Sequence, residues 1–205
     1  GHVDVVRLLL ESGATVNKAR HDGASSLYVS SHCGHLNVAR VLLENGADAN
    51  KATVNCENRS VSPLSCASQC GHVEAVRLLL ENGADVNFRN EDGRSPLYMA
   101  CDMACGQNHL VVARLLLEKG ADANEDGKTP LLGARAQDFI DVVRLLLEKR
   151  ANVDQGTHDG CTPIYIAYAE GRVDIAQLLL KAGADVDAAA SGGRTLLSVA
   201  CQNGH

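Results

Sequence analysis

The chain has 205 residues, 45% of them hydrophobic, with no tryptophan, two phenylalanines and a formal net charge of −6. An acidic balance without a block of clustered lysine and arginine excludes nucleic acid as the expected partner, because phosphate binding needs concentrated positive charge. No apolar run approaches the roughly 20 residues needed to cross a bilayer, which excludes direct membrane insertion, and with no targeting segment visible the expected location is intracellular and cytoplasmic.

From the N-terminus, Val3, Val6, Leu9 and Leu10 recur at helical spacing, and Gly13 is a natural left-handed stop. The Leu-Leu-Leu of 8–10 returns at 78–80, 115–117, 145–147 and 178–180, and as Val-Leu-Leu at 41–43. Gly-Ala-Asp follows at 46–48, 83–85, 120–122 and 183–185, with variants at Gly13-Ala14-Thr15 and Arg150-Ala151-Asn152. Gly13 to Gly46 and Arg150 to Gly183 both span 33 residues, so one unit of that length has been copied. A unit so short cannot bury its apolar face alone and must stack on its neighbours.

Each unit carries a second helix. Pro96 and Pro130 sit where such a helix starts, with Ser95 and Thr129 before them as capping residues. Small residues recur at 30, 67, 100, 134, 167 and 200, where two helices approach closely. Three irregularities interrupt the period. Four extra residues in the loop 51–62 lengthen a projecting finger, four more in 101–109 add about one helical turn, and a deletion at 124–127 clips a finger short.

The stretch Asp92-Gly93-Arg94-Ser95-Pro96-Leu97-Tyr98-Met99-Ala100 carries the strongest family signal, with further copies at 127–131 and 159–164. Joined to the Gly-His pairs at 34–35 and 71–72 and to the Gly-Ala-Asp closures, it resembles the ankyrin repeat. The resemblance implies an all-α solenoid of stacked helix-turn-helix units with hairpin-like loops and a concave face. It divides the chain into a half repeat 1–19, repeats 20–52, 53–89, 90–124, 125–156 and 157–189, and a half repeat 190–205. The function it implies is a protein–protein interaction module, or scaffold, that holds a partner protein through the concave face and loop fingers. The alternative is a targeting segment of a larger enzyme, a kinase or a ubiquitin ligase, with catalysis outside these residues.

The family's register places His32, Gln69, Phe88, Arg89, Glu91, Asp92, Arg94, Asp102, Met103 and Lys128 on the expected partner-binding surface. The irregular middle, formed by finger 51–62, Phe88-Arg89 and the turn 102–108, is where a partner-specific contact is expected. Arg/Glu pairs at 7/11, 40/44, 77/81, 114/118 and 144/148 read as i,i+4 ion pairs on the opposite, solvated face. Apolar faces persist at both ends, in Val3, Val6, Leu9 and Leu10 and in Leu196, Leu197 and Val199, where natural arrays have polar caps. The residues therefore read as excised from a longer array, with weak head-to-tail self-association expected.

No chemistry-bearing motif rises above this pattern. The loop residues Asp22, Asp92, Asp126 and Asp159 recur because the unit recurs, and no phosphate-binding glycine loop, metalloprotease motif or nucleophile elbow occurs. The expectation is no enzyme activity, no catalytic residue and no cofactor. Cys66, Cys70, Cys101 and Cys105 invite a four-thiolate zinc site, but C-x-x-x-C lacks the tight spacing of common zinc motifs, and no metal site is expected. Cys101 and Cys201 are expected in the buried slot beside the small-residue row, with Cys33 and Cys70 ending inner helices.

Overall fold

The computed structural model describes residues 2–54, 59–102, 107–124, 129–134, 140–188, 190 and 193–203. In chain order its elements begin with α1 (Val3–Glu11), α2 (Ser26–His32), α3 (Leu36–Glu44), β1 (Thr53–Val54), β2 (Ser60–Val61), α4 (Pro63–Gln69) and α5 (Val73–Glu81). Then follow α6 (Pro96–Asp102), α7 (Gln107–Glu118), α8 (Pro130–Gly133), α9 (Ile140–Glu148), α10 (Pro163–Ala169), α11 (Val173–Lys181) and α12 (Leu196–Asn203). The even-numbered helices form an inner row in which each packs on the next, and the odd-numbered helices form a parallel outer row.

Inner helices start where the sequence places them. The hydroxyls of Ser25, Ser62, Ser95, Thr129 and Thr162 each accept the backbone N–H three residues on, and in the last four a proline follows at the first helical position. Proline has no N–H to lose there and its φ is already helical. The small-residue row is buried at Ser30, Ala67, Ala100, Ala134 and Ala167. Leu27, Leu64, Leu97 and Ile164 of the inner row and Leu79, Leu116, Leu146 and Leu179 of the outer row are fully enclosed, making one ribbon of core along the stack. At its two ends Val5, Leu8 and Leu9, and Leu197, remain exposed.

A polar ladder runs beside the apolar one. The amide of Asn17 donates to the Gly46 carbonyl at 3.0 Å and accepts the Asp48 N–H at 2.9 Å. Asn50 repeats the pair with Gly83 and Asp85, Asn87 with Gly120 and Asp122, and Asn124 with Arg150 and Asn152. The step needs a donor and an acceptor on one short side chain, which asparagine supplies and aspartate does not. Asp154, next in the series, keeps only the acceptor half, taking the Asp185 N–H at 2.9 Å.

The insertions take definite forms. Among the described residues of 51–62, Thr53 pairs with Val61 and Val54 with Ser60, so the long finger is an antiparallel hairpin. The second insertion extends an outer helix: α7 has 12 residues where α1, α3, α5, α9 and α11 have 9. The clipped finger at 125–127 lies outside the described residues. Cysteines 33 and 70 cap the ends of α2 and α4, and Cys101 is buried. Cys201, however, is exposed, because α12 packs on α10 with no helix described beyond it.

The expected Arg/Glu pairs of the outer face do not close. Among the described residues of that set, Arg77 alone forms an ion pair, turning back to Glu74 at 3.8 Å rather than forward to Glu81. Acid before base is the better order along a helix, since it also complements the dipole.

Arg150 stands where Gly13, Gly46, Gly83, Gly120 and Gly183 end the other outer helices at φ between 79° and 90°, and it adopts φ 62° itself. A Cβ at any of those five glycines would meet nothing within 4 Å, so the penalty at Arg150 is local backbone strain. Relief of a left-handed residue, on the order of 1–2 kcal/mol, outweighs the extra chain entropy that glycine loses on folding. Arg150→Gly is therefore expected to stabilise the protein by about 0.5–1 kcal/mol, while Arg150→Ala gains nothing. Chemical denaturation of the two variants checks this, and an equal response to both would contradict it.

Candidate functional site

Ordinary fingers are five-residue turns. The backbone N–H of Arg20 donates to the Ala24 carbonyl, Asn90 to Arg94, Thr157 to Cys161 and Ala190 to Arg194. The hairpin replaces one such turn and is stitched to the fingers on both sides. On one side the Thr53 hydroxyl donates to the Asp22 carbonyl at 3.4 Å. On the other, the Ser60 N–H and hydroxyl donate to the two carboxylate oxygens of Glu91 at 2.9 and 2.5 Å, and Arg59 Nε meets Asp92 at 2.6 Å.

Asp92 connects the hairpin to α6. Arg94 lies 3.8 Å from Asp92 and 3.7 Å from Asp102, and its guanidinium stands over the Tyr98 ring at 5.6 Å. The Tyr98 hydroxyl donates to Asp102 at 3.4 Å, which closes the circuit. Arg94 and Asp102 are about one-fifth exposed, so these charges are only partly screened by water. Arg89 reaches Asp122 in the next unit at 3.9 Å, and Phe88 beside it is half-buried.

Of the sequence-derived surface residues, the structure thus brings Arg89, Glu91, Asp92, Arg94 and Asp102 into ties within and between neighbouring fingers, with Phe88 at the margin. Met103 and Lys128 lie outside the described residues. Gln69 is half-buried and its carbonyl accepts the His109 Nε2–H at 3.0 Å. His32 belongs to a different group.

The His32 Nδ1 lies 3.2 Å from the Cys66 sulfur and 3.7 Å from the Cys70 sulfur. All three atoms fall within 4.8 Å of one another. His32 closes α2 and the two cysteines sit one turn apart at the end of α4, so facing helices supply the group. The Cys66 thiol is pushed up by donating to Cys70 and by burial, against a hydrogen bond from the Tyr28 hydroxyl. The Cys70 thiol is held below its ordinary range by that same Cys66 hydrogen bond, and the His32 and His72 imidazoles add to the effect against burial. Cys70, the more open sulfur, is the one that ionises first. Cys101 stands outside this group, and Cys105, the fourth thiol of the arrangement raised from the sequence, lies outside the described residues.

The sequence did hold the signal for His32. Gln69 follows His32 by 37 residues, the distance from Gly46 to Gly83, so the register sets His32 against the turn between Cys66 and Cys70.

A family model described as ankyrin repeats (3 copies) matches residues 1–53, 51–125, 88–156, 103–190 and 152–205, overlapping segments that together run the length of the chain. The chain belongs to the ankyrin-repeat family. Among solved structures, the human ASB11 ankyrin repeat domain is 30% identical, with a TM-score of 0.83 over 97% of this chain and 86% of that one. An ankyrin repeat domain from Acinetobacter baumannii AYE is 28% identical, with a TM-score of 0.77 over 89% of this chain and 93% of that one. The ankyrin repeat domain of Bcl-3, described as a unique member of the IkappaB protein family, shares the fold at 24% identity and a TM-score of 0.77, over 96% of this chain and 86% of that one. Comparison with curated proteins finds no significant match. The helix-rich ankyrin array expected from the sequence is thus the fold observed, with one two-stranded hairpin among its described loops, and ankyrin domains generally act as protein–protein interaction modules. No described helix is long and apolar enough to cross a membrane.

The Glu91 carboxyl is held below its ordinary 4.5 by the two Ser60 hydrogen bonds, the hydroxyl's first. A depressed folded-state value means the anchor is intact above the ordinary carboxylate range and is lost as pH falls through the depressed one. The Ser60 amide proton is accordingly expected to titrate by NMR with a midpoint below 4.5, and Glu91→Gln is expected to abolish the transition. A midpoint at or above 4.5 in the wild type would contradict the anchored hairpin.

Proposed function

We propose that this chain is a non-catalytic protein recognition module whose partner docks on the inner-helix face and fingers around the hairpin Thr53–Val61 and residues 88–94 and 102. The observation that carries this reading is the stitching of the hairpin to its neighbours by Ser60–Glu91 and Arg59–Asp92. Loops fixed before a partner arrives lose less conformational freedom on binding than free ones, so the same contacts give higher affinity. The irregular middle of the array is also where this chain departs from its own repeat, which is where specificity for one partner resides in this reading.

Anchor chemistry at this surface is modest. With no tryptophan in the chain, Phe88, Arg59, Arg89 and Arg94 are the side chains there of types favoured at binding hot spots or aromatic interface cores, and Arg59 and Arg94 both face Asp92. Arg89 is exposed, 3.9 Å from Asp122, where a partner's acidic group can reach it. Attachment to a larger enzyme, the alternative raised by the sequence, would leave this surface in the same role with catalysis elsewhere.

Affinity capture with wild type, a Phe88→Ala/Arg89→Ala variant and an outer-face Arg40→Ala/Arg144→Ala variant, compared side by side, tests the reading. Proteins retained by the wild type and the outer-face variant but lost from the Phe88/Arg89 variant are the expected result. Retention unaffected at Phe88/Arg89 but lost with the outer-face variant would overturn the placement.

A further inference from the structure

Between α2 and α4, the first two helices of the inner row, three soft or borderline donors converge from two units. Tetrahedral zinc, with bonds of about 2.3 Å to sulfur and about 2.0–2.1 Å to imidazole nitrogen, sets a sulfur and a nitrogen ligand about 3.6 Å apart. The His32 Nδ1 stands 3.2 Å from the Cys66 sulfur and 3.7 Å from that of Cys70, which brackets this spacing, and all three atoms lie within 4.8 Å of one another. We propose that His32 Nδ1, Cys66 Sγ and Cys70 Sγ form a zinc(II) site that clamps α2 to α4, with its fourth position open to water or to a side chain of a docked partner.

Four features of the surroundings suit a cation there. The site lies at the carboxyl ends of α2 and α4, where the helix dipoles present partial negative charge. The Tyr28 ring stacks on the His32 ring, at 6.3 Å between centroids and 7° between planes, so the imidazole is oriented before metal arrives. His72 Nε2–H donates to the His32 carbonyl at 3.1 Å and fixes the backbone that carries it. The Tyr28 hydroxyl hydrogen-bonds the Cys66 sulfur, a contact that stabilises a ligating thiolate.

The chemistry balances. Zinc displaces one proton from each thiol to solvent, and two thiolates neutralise its two positive charges, so the buried Cys66 sulfur carries no uncompensated charge into the interior. Three protein ligands leave the site open, as in zinc centres that exchange their fourth ligand. Of the other described cysteines, exposed Cys33 adjoins His32 at the end of α2 and is near enough to act on the Cys66 thiol, while Cys101 is buried, Cys161 is half-buried in a finger and Cys201 is exposed.

The test is titration of the reduced, metal-free protein with cobalt(II) as an optical probe, followed by displacement with zinc and native mass spectrometry. One metal per chain is expected, with the thiolate-to-cobalt charge-transfer band and the visible bands of tetrahedral cobalt. His32→Ala, Cys66→Ser and Cys70→Ser should each remove the tetrahedral spectrum while circular dichroism stays helical, and Cys201→Ser should leave it unchanged. Hydrogen exchange gives a second readout, since zinc should slow the amides at the ends of α2 and α4 in the wild type and not in His32→Ala. Cobalt bound without a thiolate band, a tetrahedral spectrum that survives His32→Ala, or no metal retained by the wild type would each overturn the proposal.

Discussion

A helix pair of this length has more apolar surface than it can cover, and only another copy of itself has the matching face. That constraint governs the rest of the molecule. Leu79 and Leu116 are fully buried because units stand on both sides of them, while Leu8 and Leu197, of the same residue type, are exposed at the two ends of the stack. Burial of a leucine side chain is worth about 1.5–3 kcal/mol by area. The exposed asparagine ladder adds hydrogen bonds of about 0.5–1.5 kcal/mol each at most. Apolar stacking therefore holds the units together, and the ladder sets their register along the edge.

Once the stack is fixed, the fingers have no freedom to choose their neighbours. Thr53, Ser60 and Arg59 meet Asp22, Glu91 and Asp92 because consecutive units bring consecutive loops side by side. The same geometry sets His32 against Cys66 and Cys70. The proposed recognition surface and the thiol–imidazole group are thus both products of register: neither exists within a single unit.

Much of this was legible in the residues. The 33-residue period, the Ser-Pro and Thr-Pro helix starts and the small-residue row follow from local chemistry, and the structure repeats them with little change. What escaped were pairings between units. Glu91 and Asp92 read as surface charges open to a partner, yet both are already engaged by the hairpin, since a four-residue insertion brings Arg59 and Ser60 within reach. Cys201 read as buried by analogy with Cys101, but burial at that position needs a following unit. Arg77 read as the partner of Glu81 and instead turned to Glu74, where the helix dipole favours the pair.

The central claim is that stability comes from apolar burial between units. Its most direct measurement is chemical denaturation of Leu79→Ala beside Leu197→Ala, the same substitution at a side chain fully buried between units and at one 76% exposed. The first is expected to lose about 2–5 kcal/mol and the second less than about 0.5 kcal/mol. Equal losses in the two variants, or a Leu79→Ala protein as stable as the wild type, would contradict the account.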